Sequence, residues 1–97
     1  MANAAYYGTK PSEILKATAT LDFASIAAGA VGTLTATVTG AATGDFAVVA
    51  PPGNLNAGLV VSAFVSAANT VTIRIINGTA GAVDPASATW GIAVIPA

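Results

Sequence analysis

The chain has neither cysteine nor histidine. Disulfide staples, thiolate nucleophiles, the physiological-pH switch and the commonest metal ligands are therefore all missing. Charge is scarce as well. Lys and Arg number 3, Asp and Glu number 4, and together they make 7% of the residues, with a net charge of −1. An ordinary soluble domain carries roughly 25%. The basic set is Lys10, Lys16 and Arg74, too few to line up against phosphates, so nucleic acid is not an expected partner. Long hydrophobic runs are lacking too. The longest low-polarity stretch, residues 57–68, is interrupted by Ser62 and Ser66 and falls short of the roughly 20 residues a membrane helix needs. The opening MANAAYYGTK has no charged region followed by an apolar core, so neither a secretory signal nor a membrane span is expected.

Enzyme motifs are equally absent. No glycine-rich loop ends in Gly-Lys-Ser/Thr, and no Gly-x-Ser-x-Gly elbow occurs. Serine catalysis needs a base, and Ser12 with Lys16 is the one formal pair, which reads better as a capping serine beside a solvated lysine. Asp22, Asp45 and Asp84 are the candidate carboxylates for acid–base work or calcium. Each borders a predicted turn or strand end, where aspartate caps backbone N–H groups, and no Asp-x-Asp-x-Asp spacing is present. Asn77-Gly78-Thr79 fits the glycosylation sequon by chance composition. The expectation is no enzymatic activity and no cofactor.

What is present is a series of short apolar and threonine-rich runs punctuated by Gly, Pro, Asn and Asp. That spacing predicts an all-β fold, a small antiparallel β-sandwich of jelly-roll or immunoglobulin-like type with about six to seven strands. Residues 18–23 alternate, with Ala19, Leu21 and Phe23 on one face; residues 33–39 do the same with Leu34, Ala36 and Val38 against four threonines. Residues 46–50 form a third strand stopped by Pro51-Pro52, since proline cannot donate to a ladder. Residues 59–66 and 70–77 flank Ala67-Ala68-Asn69, a tight hairpin in which asparagine takes the left-handed position. Residues 87–95 are the last strand. The expected core is Leu21, Phe23, Leu34, Val38, Val48, Val61, Val65, Val71, Ile73, Ile75, Trp90, Ile92 and Val94.

Residues 1–17 fall outside this pattern and read as an extended N-terminal arm, with one possible helical turn over residues 11–17 capped by Ser12; residues 18–97 are the sandwich domain. Ordering about 17 residues costs on the order of 17–34 kcal/mol. Tyr6 and Tyr7 together return at most roughly 10 kcal/mol, at ~200 Å² each and ~25 cal/mol/Å². Ile14 and Leu15 must bury too, so the arm is expected to order only in an assembly. The low charge of the whole chain leaves two readings, a merely neutral surface or one covered by neighbours, and the second is favoured because so little charge protects a lone monomer from association. The candidate interface residues are Tyr6, Tyr7, Lys10, Pro11, Ile14 and Leu15 in the arm, Phe64 on the parity opposite Val61 and Val65, and Arg74 pointing out of its strand.

The runs Ser25-Ile26-Ala27-Ala28-Gly29-Ala30, Val38-Thr39-Gly40-Ala41-Ala42-Thr43-Gly44-Asp45 and Ala50-Pro51-Pro52 resemble those of small virion proteins of tailed bacteriophages. So do Ala57-Gly58-Leu59, Val65-Ser66-Ala67-Ala68-Asn69-Thr70-Val71 and Asp84-Pro85-Ala86-Ser87-Ala88-Thr89-Trp90. The resemblance covers roughly residues 18–97. Gly91 departs from it, standing where such proteins often carry a charge. It implies a capsid decoration or cement protein, located on the virion surface after assembly in the host cytoplasm. The implied partners are the major capsid protein and further copies of the chain, with a trimer favoured. A tail or fibre module that binds a host surface receptor or glycan is the alternative.

Overall fold

A computed structural model describes residues 14–97. Among these residues there are six strands and no helix: β1 (Leu15–Leu21), β2 (Val31–Thr37), β3 (Phe46–Ala50), β4 (Leu59–Ala67), β5 (Thr70–Asn77) and β6 (Ala88–Ile95). They pair into two three-stranded antiparallel sheets, ordered β1-β6-β3 and β2-β5-β4. β1 lies beside β2 and β3 beside β4, which leaves the central strands β6 and β5 facing each other across the core.

The alternation of residue types explains the layering. Val71, Ile73 and Ile75 of β5 and Trp90, Ile92 and Val94 of β6 project inward from the two central strands and are buried. Phe23, just past β1, sets its ring 5.6 Å from that of Trp90 at a tilt of 52°, a favourable aromatic geometry. Ala17 and Ala19 lie opposite Ile92 and Trp90 in the sheet, and their short side chains leave room for those bulky neighbours. A bulge between Val65 and Ala67 ends the regular pairing of β4 with β5, and the turn that follows holds Asn69 at φ 62°. Asn69 tolerates that conformation and gains from it. Its Oδ1 accepts from the Gly40 N–H at 2.8 Å, its own N–H donates to the Ala41 carbonyl, and its carbonyl accepts from Val38. The hairpin tip is thereby tied to the connection between β2 and β3.

Several expectations need correction. β1 begins at Leu15, earlier than Thr18, so Leu15, Lys16 and Ala17 belong to the sheet and not to an arm. From Leu15 onward the helical turn is replaced by strand, because Leu15 and Ala17 continue the inward parity of Ala19 and Leu21. Ser12, Tyr6, Tyr7, Lys10, Pro11 and the remainder of the predicted arm lie outside the described residues. Val48 is exposed and Val49 is the half-buried residue, since the register sets Val49 against Ile92 and Val48 against Ala93. With valines adjacent in Phe46–Ala50, a one-residue choice of register decides which of them enters the core. Leu59, Ile26 and Ala41 join the core unpredicted, and Ala36, expected on the inward face of its strand, is buried there. Ile26 does so from a loop, through an isolated bridge to Val83.

Candidate functional site

The side chains with reactive potential do not converge. Asp22 and Asp84 lie at the end of the sandwich where β1 stops and β6 begins, whereas Asp45 precedes β3 at the opposite end. Asp45 is occupied as a turn residue. Its Oδ2 accepts from the Ala42 N–H and its Oδ1 from the Ala97 N–H, both at 3.0 Å. Among the described residues no group of three or more acidic side chains is placed to hold a metal ion. The sequon asparagine, Asn77, is fully buried, with a relative exposure of 0%. Its Nδ2 donates to the carbonyls of Ile26 at 2.8 Å and Gly81 at 2.9 Å. Its Oδ1 accepts from the Thr79 N–H and hydroxyl at 2.9 and 2.7 Å. Asn77 is a structural clamp on two loops, and its amide is unavailable for modification in the folded domain.

At the same end, Pro52, Asn54, Leu55, Asn56, Asp84 and Pro85 border a groove of about 240 Å³. It contains no aromatic side chain. Asn56 already gives its Oδ1 to the Gly58 N–H. A sugar-binding cleft usually offers an aromatic platform beside free polar groups, and this groove offers only the second, in part.

The distinctive surfaces are the two broad faces that point away from the core. Each strand has a second side, and on this protein that side carries large apolar residues among Thr, Ser and Ala, with little charge. On the β1-β6-β3 sheet, Ile95 and Phe46 form one cross-strand row, Lys16, Ala93 and Val48 the next, and Thr18, Gly91 and Ala50 the third. Ile14 precedes β1 at the Ile95 end. On the β2-β5-β4 sheet the rows are Val31, Ile76 and Val60, then Thr33, Arg74 and Ser62, then Thr35, Thr72 and Phe64. All the exposed large hydrophobic residues of the described chain, namely Ile14, Val31, Phe46, Val48, Val60, Phe64, Ile76 and Ile95, fall on these two faces. Lys16 and Arg74 are the charges there.

The site residues expected from sequence divide among these places. Ile14 stands exposed at the margin of the β1-β6-β3 face. Leu15 turns inward, partly buried, and packs against the core. Phe64 and Arg74 come together on the other face, the guanidinium carbon 4.7 Å from the ring centroid, a cation–π contact. Arg74 therefore has a partner within its own chain. Tyr6, Tyr7, Lys10 and Pro11 lie outside the described residues. The sequence alone does not mark Phe46, Ile95, Val31, Val60 or Ile76 as surface residues, and it places Val48 in the core. The signal that finds them is apolar residues on both parities of one strand, as in Phe46–Ala50, Leu59–Ala67 and Thr70–Asn77. Comparison with family models, with curated proteins and with solved structures gives no match.

Proposed function

We propose that the chain is a structural subunit of a bacteriophage particle, a decoration or cement protein that lies across neighbouring capsid subunits. The observation that carries this reading is the run of exposed large hydrophobic residues on both outer faces, which carry only two charges. A sandwich normally alternates apolar-in and polar-out, and a monomer rarely exposes contiguous apolar patches beyond a few hundred Å². Neighbours that cover both faces remove that surface from water. The resemblance of the chain's runs to those of tailed-phage virion proteins points to the kind of assembly. The expected jelly-roll or immunoglobulin-like type and the gripping N-terminal arm belong to this proposal. In such a role the mechanism is mechanical: contacts to several subunits at once raise the effective concentration of each further contact, and the bridged capsomers resist separation under internal pressure.

A tail or fibre module is the second reading, and the groove at the Asp84 end is where it would bind. The lack of an aromatic there favours the first. The test is the copy number of the chain in purified particles, measured by quantitative mass spectrometry. Hundreds of copies per particle are expected. A few to a few dozen would move the protein to the tail, and its absence from particles would overturn the proposal.

A further inference from the structure

We propose that the β1-β6-β3 face pairs with the same face of a second copy of this chain about a two-fold axis. The proposal goes beyond the virion reading and does not depend on it.

The face is self-complementary in shape. Phe46 projects from one end, with 64% of its surface exposed, beside Ile95. Two outward rows further along, Thr18, Gly91 and Ala50 leave the sheet almost bare. There the surface sinks into a depression of about 550 Å³ lined by Lys16, Thr18, Val48, Ala50, Gly91 and Ala93, among others. Gly91 is central to it. A Cβ at that position would meet Ala50 Cβ at 3.4 Å, so the glycine keeps the floor low. The row between knob and hollow is Lys16, Ala93 and Val48. A two-fold axis crossing the strands at this row sets Phe46 of each copy over the Ala50–Gly91 hollow of the other. One operator makes both contacts, as an isologous interface requires.

The area is adequate for pairing. Three strands at ~4.8 Å spacing and about seven residues at ~3.4 Å rise give a face of roughly 14 by 24 Å. With side-chain relief, two such faces bury on the order of 1,000 Å², the level at which specific association begins. Lys16 is the one charge on the face and stands on the axis row, so the operator brings the two Lys16 side chains together; they sit on the outermost strand, where each stem can carry its ammonium past the sheet edge into water. The opposite face is less suited to pairing with itself. Arg74 stands on its central strand, and self-pairing there would oppose two guanidinium groups.

The test uses the full chain in light scattering over a micromolar concentration series. A dimer is expected. Phe46→Glu should weaken it by about 100-fold or more, because one ring is lost from each of the two symmetry-related contacts. Phe46 is exposed, so the variant folds, and far-UV circular dichroism checks this. Ile76→Glu, on the other face, should leave the dimer unchanged. Because the chain has no cysteine, Val48→Cys provides a unique thiol on the axis row, and a short bis-maleimide should join two copies through it but not through Ser62→Cys. A monomer at every concentration, a trimer, or a dimer that responds to Ile76→Glu and not to Phe46→Glu would overturn the pairing. So would a monomer that dimerises only when residues 2–13 are deleted, which would show the chain covering its own face.

Discussion

Trp90→Ala is expected to lower folding stability by about 3–5 kcal/mol, the usual cost of truncating a large buried aromatic. Trp90 is 1% exposed and stands on the central strand of its sheet. It contacts Phe23 and faces the core built by Val71, Ile73 and Ile75. Removing the indole opens a cavity whose walls belong to both sheets, and β-strands held by cross-strand pairing cannot collapse to fill it. A domain of this length has on the order of 5–15 kcal/mol to lose, so the loss consumes a large share. The measurement is urea unfolding followed by far-UV circular dichroism, because the chain has a single tryptophan and the variant loses its tryptophan reporter. The midpoint should fall with the slope unchanged. A loss below about 1 kcal/mol would contradict the burial of Trp90.

Asn77→Leu is expected to cost about 3–5 kcal/mol even though it adds apolar volume to a buried position, since unsatisfied buried polar groups cost roughly 1–3 kcal/mol each. The side chain is the partner of two carbonyls, one amide N–H and one hydroxyl. Its backbone serves the same end of the sandwich: Asn77 N–H donates to the Ala30 carbonyl and Gly29 N–H donates to the Asn77 carbonyl. The variant should therefore release the loops around Ile26 and Gly81 first. Hydrogen exchange at the Ile26 and Val83 amides, which bond each other's carbonyls, should quicken well before exchange in β5 does. Equal protection in the variant and the parent would contradict the clamp.

Much of the sandwich is legible in the sequence because its strands obey a period of two. Leu34, Ala36 and Val38, or Trp90, Ile92 and Val94, can be placed inward by counting alone. Asn69 marks the hairpin because few other residues accept its φ. Counting fails where both parities are apolar. Val48 and Val49 are equivalent until the register with β6 chooses between them, and the same ambiguity hides Val60 and Ile76 as surface residues. It fails again where burial comes from a loop, as with Ile26, whose partner Val83 is distant in the chain. The start of β1 is missed because the helix-like run before it masks the inward parity of Leu15 and Ala17. The outer faces are legible only once the strands are paired, since a row such as Val31, Ile76 and Val60 draws on three separate segments.

The scarcity of charge and the apolar outer faces are one fact seen twice. Ordinary sandwiches keep their outward positions polar and often charged, and here those positions carry Thr and Ser interleaved with Ala, Val, Ile and Phe, with Lys16 and Arg74 as the charges. The core needs none of the exposed hydrophobic residues on these faces, so these can be altered without harm to the fold. The most direct measurement is the copy number, in purified particles, of a Val48→Lys/Ile76→Lys variant supplied in competition with the parent chain. The two lysines place one charge on each outer face at residues that are 55% and 45% exposed. The account predicts a folded variant excluded from particles. A variant incorporated as often as the parent would contradict the claim that neighbours cover these faces.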